Sequence, residues 1–191
     1  MGDRKKIPVE VSNRHIHLSR KDIDALFGED YQLKIARELS QPGQFAAEER
    51  VHLMNGDKRI ENVRVLGPER GETQVELTKT DAMHLGIDVP LRDSGDIEET
   101  PGICVEGSKG NVSLNKGVII AKKHLHASEE EAKELGIKDR DIINVKITGG
   151  NPLIFENILV RVHPNYRLAV HIDRDDGDSA NISRVNFGEI I

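Results

Sequence analysis

Residues 13–28 read NRHIHLSRKDIDALFG, and residues 122–136 repeat the pattern as KKHLHASEEEAKELG. Each copy contains two histidines one residue apart, then a serine, a short helical pattern and a glycine. Side chains two residues apart project from the same face of a strand, so both imidazoles of a pair can point at one ligand. The serine can cap the helix that follows. The pattern therefore predicts, twice in the chain, a strand that presents two histidines and is held by a capped helix.

The composition indicates an aliphatic core, because the 191 residues include four Phe, two Tyr and no Trp. A formal net charge of −6 and the lack of a long basic run argue against nucleic-acid binding. The single cysteine, Cys104, excludes an internal disulfide framework and suits a reducing compartment. No apolar run approaches the roughly 20 residues of a membrane span, and residues 1–11 lack an apolar signal region. We therefore expect a cytoplasmic protein with no nucleic-acid or membrane partner.

Many short strand-like segments with turn signals and brief helices favour a mainly β fold of two similar β-barrel domains with short capping helices. Asn55-Gly56 predicts a hairpin, and Gly67-Pro68 predicts a turn. Residues 89–102 are rich in Pro, Gly, Asp and Ser and are the best candidate for a domain junction. We therefore assign residues 7–93 to the first domain and 94–191 to the second, with strand exchange between the halves as an open alternative.

A single His-x-His pair is a weak signal, because such pairs are most often exposed or hydrogen-bonded. Two pairs at the same place in a repeated unit favour a zinc-class ion, either one per pair or one in a site built from both halves. His171, on a late strand before an acidic turn, is either bonded to that turn or a third imidazole ligand.

Glu76 and Arg70 each allow two interpretations. Glu76 lies on the polar face of a predicted strand, where it is either solvated or a carboxylate ligand. Arg70 lies in a Gly-Pro-Glu-Arg-Gly segment, where it is either a loop charge or an oxyanion clamp that meets phosphate with two parallel donors.

Several segments together resemble a known family, the PduL-type phosphate propanoyltransferases, a class of phosphotransacylase. The segments are VSNRHIHLS, GPERGETQVELT, RDSGD, AKKHLHAS and LAVHIDRDDGD. The resemblance runs from about residue 7 to residue 171 and beyond, which is nearly the whole chain.

The resemblance implies two β-barrel domains with a two-zinc site between them, and a phosphate-contacting arginine at Arg70. By position, the implied zinc ligands are His15, His17 and Glu76 for one ion and His124, His126 and His171 for the other.

The implied activity interconverts acyl-CoA and phosphate with acyl phosphate and CoA, with propanoyl or acetyl as the acyl group, as in propanediol degradation. Coenzyme A is thus expected as a substrate, the residues that contact it are not assigned, and a homodimer is expected from the resemblance alone. Some members carry an amphipathic N-terminal extension that directs them into bacterial microcompartments. This chain has little room for one before Val9, so we expect it in the cytoplasm, with a microcompartment as the open alternative.

Two other classes of protein stay open. A metal-dependent hydrolase of the amidohydrolase kind also begins with His-x-His on a strand, but its barrel needs about 250 residues of alternating strands and helices. A non-catalytic binding module stabilised by zinc is the other, although structural zinc sites close all four positions and favour cysteine.

Overall fold

The computed structural model describes residues 5–148, 151–182 and 185–191. Within these ranges no helix is long and apolar enough to span a bilayer. The helices are α1 (Arg20–Phe27), α2 (Lys79–Leu85), α3 (Glu129–Leu135) and α4 (Arg174–Ser179). The strands are β1 (Ile7–Ser12), β2 (His15–Ser19), β3 (Ile35–Glu38), β4 (Phe45–Asn55), β5 (Lys58–Arg70), β6 (Gln74–Glu76), β7 (Leu91–Arg92), β8 (Cys104–Glu106), β9 (Asn111–Ser113), β10 (Val118–Ala121), β11 (His124–Ala127), β12 (Ile142–Ile147), β13 (Ile154–Val162), β14 (Ala169–Asp173) and β15 (Val185–Ile190).

The chain folds into two compact units. One unit is Arg14–Ala121, and the other joins the N-terminal segment that ends at Asn13 to Lys122–Ile191. The first therefore forms from one continuous stretch, which is inserted into the second.

The discontinuous unit contains a closed barrel in the order β1-β14-β11-β13-β12-β15. β1 runs parallel to β14 and antiparallel to β15, so the N-terminal strand closes the barrel. Its interior is aliphatic, as the composition predicts, because alternate residues of each strand point inward. The fully buried side chains there include Ile7, Val9, Leu125, Ile147 and Ile158.

The continuous unit contains a nine-stranded sheet in which β7-β10-β6-β2-β5-β4-β8-β9 lie side by side and β3 adds to β4. The histidine strand β2 lies in the interior of this sheet, parallel to β5 and antiparallel to β6. Its core is again aliphatic and includes Ile16, Leu18, Leu53, Val75 and Leu85.

The strand before each histidine strand pairs in the other unit. β1 directly precedes β2 but pairs with β14, and β10 directly precedes β11 but pairs with β6. Both pairings are parallel. The barrel unit thus contains β1, which precedes the histidine strand β2 of the other unit. The sheet unit contains β10, which precedes the histidine strand β11 of the barrel.

The prediction of a mainly β fold with brief helices is confirmed, and one unit is a closed barrel. Two similar barrels are not confirmed, because residues 14–121 form the nine-stranded sheet described above. The predicted division between residues 93 and 94 does not match the two units. It falls inside residues 14–121 because β7 pairs with β10 and β4 pairs with β8 across it. β1 with β14, and β6 with β10, also pair across the predicted division.

The helix caps follow the prediction. Ser128 Oγ accepts a hydrogen bond from the Glu131 N–H at 3.2 Å, and a carboxylate oxygen of Glu131 accepts one from the Ser128 N–H at 2.8 Å. Helix α3 ends at Gly136 in the left-handed conformation. Ser19 caps α1 with its side chain, which accepts from the Asp22 N–H. The capping box is incomplete there, because the Ser19 N–H donates to Thr73 Oγ1 instead of to Asp22.

The two predicted turns differ in outcome. The hairpin at Asn55-Gly56 is confirmed, with Asn55 paired to Lys58 across a two-residue turn. The turn at Gly67-Pro68 is wrong, because both residues lie inside β5. Gly67 is needed there for close packing, since an added Cβ would lie 2.2 Å from the Phe45 ring.

Replacing Ser128 with alanine should lower the free energy of unfolding by about 1 kcal/mol, because it removes the acceptor at the start of α3. Chemical denaturation of the full chain measures this loss. Ser128→Thr keeps the hydroxyl and is the matched control. Equal losses in the two variants would show that the cap does not stabilise the chain.

Candidate metal centre

Strand β2 has aliphatic side chains on one face and histidines on the other. Ile16 and Leu18 are fully buried in the core, which leaves His15 and His17 together on the opposite face of the strand. The antiparallel neighbour β6 places Glu76 opposite His15 and Gln74 opposite His17.

Three of these side chains converge on one point. His15, His17 and Glu76 each offer one ligand atom, and the three atoms lie within 4.8 Å of one another. The Nε2 atom of His15 is 3.4 Å from Oε2 of Glu76. His15 and His17 are 8% and 3% exposed, so a ligand here would be shielded from most of the solvent.

The charges of this cluster suit a bound cation. Burial, followed by the neighbouring positive groups His15 and Arg70, holds the pKa of His17 well below its ordinary value of 6.5. The imidazole therefore stays neutral, as a metal ligand must. Burial alone would raise the pKa of Glu76, but the charge of His15 and its hydrogen bond outweigh burial and hold that pKa well below its ordinary range. Glu76 is therefore a carboxylate at neutral pH.

The residues present fit a metal ion. Two imidazoles and a carboxylate are the donor set of open, catalytic zinc sites. Among the residues that the structure describes, the Nδ1 atom of His17 is buried without a hydrogen-bond partner, and a buried polar atom of this kind calls for a partner.

Arg70 lies at the edge of this cluster. It ends β5 and is paired with Ser19, two residues after His17. Its positive charge contributes to the lowered pKa of His17, which places the guanidinium within electrostatic range of the candidate ligands.

A second cluster lies in the barrel on β11 and β14. His124 is paired with His171 across the antiparallel ladder. The ring centroids are 4.7 Å apart for His124 and His126, 5.2 Å for His124 and His171, and 4.9 Å for His126 and His171. Tyr166 stacks on His126 with a centroid distance of 4.1 Å.

The orientation of His124 suits a ligand role. Its Nδ1 atom lies 2.8 Å from the carbonyl oxygen of Lys122. An imidazole that donates from Nδ1 to a carbonyl carries its lone pair on Nε2, the usual arrangement for metal-binding histidines. His171 lies near a carboxylate, with Nδ1 3.9 Å from Oε2 of Glu10.

The structure therefore brings the predicted residues together as two sets, one in each unit. Each set is a histidine pair with a third residue directly opposite its first histidine: Glu76 opposite His15, and His171 opposite His124. His52 and His84 belong to neither set and contact backbone groups of Asn62 and Arg59.

One group of charged residues was missed by the sequence analysis. Arg64 is paired with His15, and Arg50 is paired with Arg64, so all three share one face of the sheet with Glu76. Burial, followed by the positive charges of Arg50 and Arg37, lowers the pKa of Arg64. These arginines lie on three strands, so their proximity depends on register and is not visible in a linear pattern.

The segment at residues 92–96, predicted to be part of a domain junction, instead supports the candidate centre. Ser94 Oγ donates a hydrogen bond to Oε1 of Glu76 at 2.9 Å. The backbone N–H of Gly95 donates to Oε1 of Gln74 at 2.7 Å. The polar groups of this segment, which suggested a linker, form hydrogen bonds with Glu76 and Gln74.

Comparison with known proteins gives concordant matches. The family model described as phosphate propanoyltransferase matches residues 8–183. A Thermotoga maritima protein named phosphate propanoyltransferase is 50% identical over 186 residues, which cover 97% of this chain and 87% of that protein. Proteins of the same name from Alkaliphilus metalliredigens and Listeria monocytogenes are 46% and 43% identical. The matches cover 97% of this chain in both cases, and 88% and 87% of those proteins.

In the metal-free chain, the free energy of unfolding should fall as the pH drops below 6.5, the ordinary pKa of histidine. Below that value the unfolded chain protonates His17, whereas the folded chain does so only at lower pH. The contribution of neutral His17 to the free energy of unfolding is therefore complete above pH 6.5. It is lost as the pH falls towards the lowered pKa of His17 in the folded chain. Glu76 adds its own loss only below its ordinary value of 4.5.

Urea denaturation at a series of pH values above 4.5 tests this. The variant His17→Gln should show a shallower pH dependence, and His84→Gln, a change at an exposed histidine, should keep the wild-type slope. A wild-type slope in His17→Gln would contradict the assignment.

Proposed function

This chain belongs to the phosphate propanoyltransferase family and is an acyltransferase, and we propose that it interconverts a short-chain acyl-CoA and phosphate with acyl phosphate and CoA. The acyl group is propanoyl or acetyl. The observation that carries the proposal is the convergence of His15, His17 and Glu76 beside the charge of Arg70. This arrangement combines a cation site with an anion-binding group.

In this proposal each cluster holds one cation of the zinc class. His15, His17 and Glu76 would hold the first, because three protein ligands of these types are those of catalytic zinc sites. The second set, His124, His126 and His171, consists of imidazoles alone and would hold the other cation. Bound cations would favour the thiolate form of CoA at neutral pH and offset the charge of phosphate oxygens.

The reaction needs no nucleophile from the protein. In the direction of acyl-CoA synthesis, the CoA sulfur attacks the acyl carbon, the carbon–sulfur bond forms, and the carbon–oxygen bond to phosphate breaks. The thiol proton passes to solvent or to the released phosphate. The task of the protein is therefore to orient two substrates and to stabilise negative charge on the leaving oxygens.

Arg70 is the residue we assign to the phosphate. A guanidinium presents parallel N–H donors that match two phosphate oxygens. Its half-buried position near His17 strengthens such contacts relative to those at an exposed surface. Arg70 therefore holds the phosphate oxygens while the acyl carbon exchanges its bond to oxygen for a bond to sulfur.

The arginines on the same face of the sheet extend this role to the coenzyme. Arg37 and Arg50 lie within electrostatic range of Arg64, as does one carboxylate, Glu49, in a chain whose net charge is −6. The three arginines exceed that single negative charge. Coenzyme A carries several phosphate groups, so a local positive field next to His15 favours its binding and orientation.

A steady-state assay of CoA with acetyl phosphate and with propanoyl phosphate tests the proposed function. We expect formation of the thioester, loss of that activity after chelation, and its return when zinc is added back. Hydrolysis of acyl phosphate without CoA would instead favour a metal-dependent hydrolase. Zinc-dependent stability without either reaction would favour a binding module.

Replacing Arg70 with alanine should lower kcat/KM for acyl phosphate at least about a hundredfold, the usual effect of removing one group that stabilises transition-state charge. Arg70→Lys keeps the charge but loses the paired donors and should lie between alanine and wild type. Arg59→Ala is the matched control, since Arg59 lies on the same strand and forms ion pairs with Glu61 and Glu106. Normal turnover by Arg70→Ala would remove Arg70 from the reaction.

A further inference from the structure

Gln74 is a fully buried polar residue beside the candidate centre. It begins β6, is paired with His17 and is 2% exposed. Burying an amide costs free energy unless its polar atoms form hydrogen bonds. The bonds of Gln74 therefore show what the residue is placed to do.

The side-chain hydrogen bonds of Gln74 lead to the carboxylate of Glu76 and to the segment at residues 94–95. Nε2 donates to Oε1 of Glu76 at 2.7 Å and to Oγ of Ser94 at 3.0 Å. Oε1 of Gln74 accepts from the Gly95 N–H at 2.7 Å. Because a backbone N–H can only donate, this last bond fixes which end of the amide faces Glu76.

The consequence for Glu76 is that its two oxygens are no longer equivalent. Oε1 accepts from both Gln74 and Ser94. Oε2 is the oxygen that lies 3.4 Å from His15 Nε2. With Oε1 held by two donors, the carboxylate is locked in the rotamer that directs Oε2 towards the histidine pair.

We propose that Gln74 is a positioning residue that holds Glu76 as a preorganised carboxylate ligand and ties residues 94–95 to the same carboxylate. The proposal rests on the proposed cation site at His15, His17 and Glu76. Groups that orient a metal ligand in this way raise metal affinity about 10- to 100-fold, since the ligand is not reoriented on binding. Gln74 itself touches neither cation nor substrate.

The test is a cobalt titration followed by visible absorption, which reports both affinity and ligand geometry at a site of histidine and carboxylate ligands. All variants carry His124→Ala, which removes one ligand of the barrel cluster so that the site on β2 and β6 is titrated. Gln74→Met keeps the length of the side chain but has no N–H donor. We expect it to bind cobalt about 10- to 100-fold more weakly and with a changed absorption spectrum.

A double-mutant cycle with Glu76→Ala separates positioning from general damage to the fold. If Gln74 acts through Glu76, then Gln74→Met should cause no further loss once Glu76 is alanine. Tyr31→Phe is the control, because it removes a hydrogen bond to Glu49 in the same unit and should leave cobalt affinity unchanged. Gln74→Leu replaces Gln74→Met should the latter not fold.

The outcomes distinguish the two proposals. Wild-type affinity in Gln74→Met together with weakened binding in Glu76→Ala would overturn the role of Gln74 and leave the cation site intact. An equal loss from Gln74→Met with and without Glu76 would also overturn it. Unchanged binding in Glu76→Ala would overturn the cation site itself, and the role of Gln74 with it.

Discussion

The register of β2 is the constraint on which the candidate centre depends. His15 and His17 alternate with Ile16 and Leu18, and the latter two are fully buried. A slip of one residue would turn the imidazoles into the aliphatic core and the aliphatic side chains out of it, at a cost of several kcal/mol. The hydrophobic effect thus fixes the position of the polar residues, and the pairing with β6 then brings Glu76 opposite His15.

The same construction occurs in the barrel with a different third residue. Each histidine strand has one parallel and one antiparallel neighbour: β5 and β6 for β2, and β13 and β14 for β11. In both cases the antiparallel neighbour supplies the residue opposite the first histidine, a carboxylate in one unit and an imidazole in the other. The repeat seen in the sequence is therefore a repeat of strand pairing, in two sheets of different extent.

What could be predicted from the sequence was local. The histidine strands, their capped helices and the hairpin at Asn55 follow from alternation, cap residues and turn residues, which act over a few positions. The roles of Glu76 as a ligand and Arg70 as a phosphate contact were predicted from the resemblance. From the sequence pattern alone, each residue could equally be a solvated surface residue. The role of Gln74 and the proximity of Arg64 to His15 depend on register between strands distant in sequence. The domain boundary was misplaced because a polar segment at residues 89–102 resembles a linker, whereas its polar groups serve Gln74 and Glu76.

The exchange of β1 and β10 has a consequence for the order of events on the ribosome. Val9 on β1 is paired with Val170 on β14, so β1 is synthesised long before the strand that it needs to close the barrel. Residues 14–121 hold all of their own strand partners and can fold as soon as they emerge. Contacts between such distant residues form slowly. The barrel is therefore the late step of folding, and β1 is exposed to association with other chains until β14 and β15 have been synthesised.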